Sequence, residues 1–255
     1  MKAVILAGGQ GTRLREETEY RPKPMVQIGS QPILWHIMKI FHTQGISEFE
    51  VALGFKGEHI KDYFLNYSHS LGDIAVDFST GNRVIQHAEN NVENWKVGLN
   101  ETGLHSNTGG RLFQLRGKLD DTFLCTYGDG VADVNIRELI KFHYEHGKIA
   151  TVTAVHPSAR FGSLEISAGG QVSSFAEKPV SNQWVNGGFF VFDRKIFDYL
   201  TPDSILEREP LESLAKNGQL MAWEHNGFWH PMDTIRDSQH LNELWESGVA
   251  PWKIW

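Results

Sequence analysis

"AVILAGGQGTRL", residues 3–14, sets a short apolar run directly against three glycines and an arginine. An apolar run of this length without alternation is expected of a strand buried on both faces, as in a parallel sheet. In "GGQGTR", Gly8, Gly9 and Gly11 permit dihedrals closed to other residues, so successive amides can converge on phosphate oxygens. Arg13 adds a planar, permanently charged donor fork. On their own the glycines are also consistent with a plain strand-to-helix turn. A dinucleotide fingerprint is not formed, because its third small position falls on Leu14, and no Gly-Lys-Ser/Thr follows to make a nucleotide-hydrolase loop.

Outward from this stretch the periodicity alternates. "PILWHIMKIFHTQG", residues 32–45, sets Ile33, Ile37, Ile40 and Phe41 at helical spacing, with Pro32 in the first turn and Gly45 past the end. "FEVALGF" predicts a second strand and "GEHIKDYFLNY" a second helix, so the first 67 residues read strand, helix, strand, helix. That order predicts an α/β fold with an open, mostly parallel, Rossmann-like sheet and right-handed crossovers. Residues 68–118 are polar and turn-rich. They are expected to form a β-rich arm, with a small ribbon in which Trp95, Val97 and Leu99 face one way, and a ligand loop, "SNTGGRL". Further strands are expected in "TFLCTY", "IATVTAV" and "VNGGFFVFD", a hairpin around Gly169–Gly170, and helices in "NIRELIKFHYEHGK", "EREPLESLAKNG" and "SQHLNELWESG". No repeat or linker interrupts the 255 residues, so one domain is expected over 1–255.

Bulk composition narrows the function. A formal charge of −7 argues against a general nucleic-acid binder, and no apolar stretch reaches the ~20 residues of a membrane span. The chain starts on a strand pattern without a leader sequence, so a cytoplasmic protein is expected. The one cysteine, Cys125, excludes an internal disulfide and reads as a small buried hydrophobe inside "TFLCTY". Any anionic ligand must therefore meet locally placed cations or bring its own Mg²⁺.

Such cations are present. In "RPKPM" Pro22 and Pro24 bracket Lys23, which suits an ammonium that must meet a developing charge, though a surface kink would look the same. "TYGDG" ends a strand in Gly128, Asp129 and Gly130, at the carboxyl edge where open α/β sheets bind ligands. Asp133, four residues on, reads as a turn or helix-start residue. His143 and His146 lie at helical spacing without a third ligand, and His225 and His230 flank an aromatic loop. Trp245, Trp252 and Trp255 fit either the core or a subunit interface.

Taken together, "LAGGQGTRL", "RPKPMVQIG", "TYGDG", "FAEKP", "VNGGFFVF" and "WHPMDT" occur in an order that resembles the sugar-1-phosphate nucleotidyltransferase family over the whole chain. "SNTGGRL", "GFWHPMDTIRD" and the ending "APWKIW" are most similar to the branch that joins CTP to glucose 1-phosphate. The resemblance implies in-line attack of a sugar phosphate on the α-phosphorus of a nucleoside triphosphate, with pyrophosphate leaving. It implies nucleotide contacts from Leu6, Ala7, Gly8, Gly9, Gln10, Gly11, Thr12, Arg13, Lys23, Thr108, Gly109, Gly110, Arg111 and Gly128. Sugar-phosphate contacts would come from Glu177, Lys178, Asn186 and Gly187. Mg²⁺ would be held by Asp129 and Asp233, and Arg13, Lys23 and Asp129 would carry the catalysis. A homo-oligomer, a hexamer by family likeness, and a product used for bacterial surface polysaccharide are implied as well. Gln10 and Arg15 depart from the pattern, but neither removes a donor from the loop. A nucleotide-sugar glycosyltransferase would not need the glycine loop with Arg13, and a binding module that had lost catalysis would be expected to lack Lys23, Asp129 or Asp233.

Overall fold

A computed structural model describes residues 1–71, 73–76, 79, 85–87, 92–157, 162–176 and 183–255. Seven strands form the central sheet: β1 (Ala3–Leu6), β2 (Glu48–Leu53), β3 (Lys96–Glu101), β4 (Thr122–Tyr127), β5 (Ala150–Val155), β6 (Val185–Asp193) and β7 (Leu220–His225). Their order across the sheet is β7-β5-β6-β4-β1-β2-β3. β6 runs antiparallel to β4 and β5, whereas the other neighbours pair in parallel. The mostly parallel sheet expected from the sequence is thus present.

Double burial of β1 follows from its side-chain alternation. Ala3 and Ile5 join one apolar cluster with Phe41, Phe49 and Phe189, whereas Val4 and Leu6 join another with Phe123, Phe190 and Phe192. Covering each Val, Leu, Ile or Phe side chain among them contributes roughly 1.5–3 kcal/mol. Among the described residues, six α-helices longer than one turn or so cover the sheet: α1 (Ile33–His42), α2 (Gly57–Leu65), α3 (Thr108–Gln114), α4 (Ile136–His146), α5 (Glu209–Lys216) and α6 (Ile235–Glu246). α1 is buried on most of its circumference because the C-terminal tail covers it: Trp252 is fully enclosed, and Trp245 and Trp255 pack partly buried on the same cluster. The three tryptophans therefore belong to the core.

The arm expected at 68–118 is rearranged. Ile74–Val76 and Ile85–His87 do pair as a short antiparallel ribbon. But residues 96–101 are β3, the edge strand of the main sheet, with Val97 and Leu99 turned onto the core. A half-buried edge strand and a free ribbon share one alternation, and only the pairing with β2 separates them. "SNTGGRL" is not a loop either, since Thr108–Gln114 is the helix α3. Ser163–Ile166 pairs with Val172–Ala176 around Gly169 and Gly170, both at positive φ, as the Gly-Gly signal predicts.

Candidate active site

β1 and β4 lie side by side, so the segments leaving their carboxyl ends meet. Gly128 donates from its amide to Leu6 O at 3.1 Å. A Cβ on Gly128 would lie 2.9 Å from Pro24 Cγ, so the glycine lets the Lys23 segment close over the strand end. Gly11 turns the first loop at φ +62°, and a Cβ there would come within 2.7 Å of Thr18 Cγ2 and 3.2 Å of Lys23 Cβ. Between these segments opens a cleft of about 200 Å³ lined by Leu6, Ala7, Gly9, Gly11, Thr12, Arg13, Lys23, Pro24, Gly128 and Asp129. Gly8 lies buried behind the cleft, and Gln10 is exposed at the loop tip.

Asp233 reaches the cleft through a short antiparallel pair, in which Trp229–Pro231 runs beside Gly130–Ala132. Met232 then donates to Asp129 O at 2.7 Å, which sets Asp233 opposite Asp129 although 104 residues separate them in sequence. Lys23 Nζ lies between them, 2.6 Å from Asp129 Oδ2 and 2.5 Å from Asp233 Oδ1. Burial alone would lower the Lys23 pKa, but the two carboxylates outweigh it and hold the ammonium above the ordinary lysine value. Arg13 Nη1 donates to Asp233 Oδ2 at 2.6 Å while the arginine side chain stays 64% exposed, which leaves it free to exchange the carboxylate for a phosphate.

The carboxylates of Asp129 and Asp233 converge on a single cation position, now taken by an ammonium. Two carboxylate ligands, completed by phosphate oxygens and water, fit a hard ion such as Mg²⁺. Among the described residues no cluster of three or more His, Cys, Asp or Glu side chains could hold a metal. Asp133, by contrast, lies against His225 Nε2 at 2.9 Å and takes no part in the carboxylate pair. His143 and His146 both meet the Thr151 hydroxyl, at 2.8 and 2.7 Å.

Arg111 faces neither the cleft nor solvent. Its guanidinium is buried and donates to Leu53 O, Gly103 O and Gly8 O at 2.8–2.9 Å and to Thr102 Oγ1 at 2.7 Å. A Cβ on Gly8 would stand 2.2 Å from that guanidinium, so Gly8 must be bare to admit Arg111. Gly109 and Gly110 serve packing too, because a Cβ would meet Ser204 at 2.8 Å and Pro202 O at 2.0 Å respectively. Thr108 donates to Glu207 at 2.7 Å. Asn186 donates to Tyr127 Oη at 3.1 Å, and Gly187 O accepts from Trp229 Nε1 at 2.8 Å. Glu177 and Lys178 lie outside the described residues.

Several further side chains support the site. Asp237 accepts from the backbone N–H of Asp233 at 3.0 Å and of Thr234 at 2.7 Å. Burial alone would raise its pKa, but bonds from Thr234 and Asp233 and the charge of His230 keep it below the usual carboxylate range. Thr234 and Asp237 form the capping box that opens α6, and this Thr-x-x-Asp anchor of Asp233 is readable in the sequence. Tyr127 and Glu207, joined at 2.6 Å, come from distant segments and had no local signature.

Comparison with known proteins gives the family. Residues 2–229 match the nucleotidyl transferase family, and the chain belongs to it. Glucose-1-phosphate cytidylyltransferases of Salmonella typhi and Salmonella typhimurium are each 52% identical to it over 259 aligned positions, covering 100% of both chains. The crystal structure of HddC from Yersinia pseudotuberculosis is similar in fold, with a TM-score of 0.69 at 23% identity over 96% of this chain and 99% of that one. No helix among the described residues is long and apolar enough to cross a membrane.

Proposed function

We propose that this chain transfers a cytidylyl group from CTP to α-D-glucose 1-phosphate, releasing pyrophosphate and forming CDP-glucose. The reaction class rests on one observation above all: Lys23 and Arg13 converge with Asp129 and Asp233 at the mouth of a glycine-lined cleft. The substrates are supported by full-length identity of 52% to two enzymes named for that activity.

A phosphate monoester is largely dianionic at neutral pH, its second pKa being about 6, so the nucleophile needs no general base. The protein has to align two mutually repelling anions and neutralise them. Loop amides from Gly9 to Thr12 face the triphosphate. Arg13 turns from Asp233 onto the departing phosphates, and Lys23 carries its charge to the α-phosphate. Asp129 and Asp233 would hold Mg²⁺, which supplies positive charge to the triphosphate oxygens. Lys178 holds the sugar phosphate, and Glu177, Asn186 and Gly187 meet the sugar hydroxyls, as the family resemblance implies. Arg111 keeps the glycine loop in register instead of touching phosphate.

Incubation of the protein with Mg²⁺, glucose 1-phosphate and each of ATP, CTP, GTP and UTP tests the reading. Pyrophosphate release is expected with CTP, and its absence with CTP would reject the assignment.

A further inference from the structure

Glu207 lies on the segment before α5 and is exposed, yet both of its carboxylate oxygens are engaged within the protein. Oε1 accepts from Tyr127 Oη at 2.6 Å and Oε2 from Thr108 Oγ1 at 2.7 Å. Thr108 in turn accepts from Leu206 N–H at 3.0 Å. Tyr127 ends β4, two residues before Asp129, and Thr108 starts α3, so one carboxylate ties together the elements expected to flank the two substrates.

Donor and acceptor counting gives this chain a direction. A carboxylate only accepts, so the single hydroxyl hydrogen of Tyr127 points at Glu207. The Tyr127 oxygen is then an acceptor for Asn186 Nδ2–H at 3.1 Å, while Asn186 Oδ1 accepts from Gly188 N–H at 2.9 Å. The Asn186 amide cannot turn over without losing both contacts, and among the described residues its second N–H has no partner. We propose that Glu207 is a positioning residue: through Tyr127 it fixes the Asn186 amide so that its spare N–H meets a sugar hydroxyl acting as acceptor. The inference rests on the reading of Asn186 as a sugar contact. Burial, and then the charge of Glu207, push the Tyr127 hydroxyl far above the tyrosine range, so it stays protonated as the chain requires.

The test uses Glu207→Ala, Tyr127→Phe and the double variant, with glucose 1-phosphate binding followed by calorimetry beside steady-state kinetics. Each single variant is expected to weaken glucose 1-phosphate binding roughly tenfold, the equivalent of one hydrogen bond of about 1.4 kcal/mol. Nucleotide KM is expected to stay within about twofold, and the double variant to be no worse than either single. Deoxy and fluoro analogues read the polarity. In the unaltered protein, at the hydroxyl Asn186 meets, fluorine should recover part of the binding that removing the hydroxyl costs, because fluorine still accepts. That distinction should vanish in both variants. Unchanged sugar affinity in Glu207→Ala, or multiplying effects in the double variant, would overturn the inference while leaving the transferase reading intact. Weakened sugar binding by the variants without pyrophosphate release from CTP by the unaltered chain would do the reverse, and no sugar-phosphate binding at all would count against both.

Discussion

Lys23 shows how a short sequence motif becomes a charge held in place. Pro22 sets an extended entry at φ −69°, Met25 N–H closes a turn onto Pro22 O at 2.8 Å, and the ammonium lies between two carboxylates. Replacing it should be felt in the transition state more than in ground-state binding. Lys23→Ala is expected to lower kcat by about 10²–10³-fold with little change in the glucose 1-phosphate KM. Equal losses in kcat and affinity, measured by initial rates, would contradict the role given to the side chain. Lys178→Ala is expected to show the opposite split, with glucose 1-phosphate KM raised strongly at nearly constant kcat. Gly11 is a second local determinant: Gly11→Ala forces a Cβ into a left-handed backbone already crowded by Thr18, at a cost of about 1–3 kcal/mol in chemical unfolding. At this scale Lys23, Gly11 and Asp129 were legible because each sits in a stiff local motif. Arg111 was not, since its partners are carbonyls of Gly8, Leu53 and Gly103, and backbone acceptors leave no mark in composition.

Among the elements, α1 carries a titratable device. His36 is fully buried, with Nε2 at 3.0 Å from Ile28 O and Nδ1 at 3.4 Å from Trp252 Nε1. One neutral tautomer satisfies both contacts: Nε2–H donates to the carbonyl, and bare Nδ1 accepts from the indole. A second proton would oppose the indole N–H. Burial, with only partial compensation from the Ile28 carbonyl, lowers the His36 pKa to about 4. The unfolded chain binds this proton near pH 6.5, so its contribution to stability is complete above that pH and is lost as pH falls toward 4. Unfolding free energy should drop by about 3 kcal/mol on this account between pH 7 and 4, the equivalent of moving the pKa from 6.5 to about 4. In His36→Gln, urea titrations should give a shallower pH slope, and an unchanged slope would refute the attribution. The helical pattern of α1 was readable, whereas the tail of tryptophans fitted core and interface equally until the packing against His36 resolved it. Thr-Gly-Gly is a poor helix sequence within a turn-rich stretch, yet α3 forms there because tertiary contacts with Ser204 and Pro202, where only glycine fits, override the propensity.

Across the whole molecule, function depends on the sheet bringing together segments that lie far apart in the chain. The glycine loop leaves β1, Asp129 follows β4, and the 229–231 strand returns Asp233 to the same point by pairing with residues 130–132. The apolar runs of β1 and β4 announced a parallel sheet, but which strands neighbour each other depends on long-range pairing that periodicity does not encode. For the same reason the carboxylate pair is implied by family likeness alone, and the Glu207–Tyr127–Asn186 chain leaves no local signature in the sequence. The central claim, that an oxygen of the sugar phosphate attacks the α-phosphorus of CTP, is tested most directly by isotope labelling. Glucose 1-phosphate carrying ¹⁸O in its non-bridging phosphate oxygens is incubated with CTP, Mg²⁺ and the protein, and the products are resolved by phosphorus NMR. The account predicts that all of the label is retained in CDP-glucose, with one labelled atom in the bridge between the two phosphorus atoms and none in pyrophosphate. Label released as inorganic phosphate, or found in pyrophosphate, would contradict it.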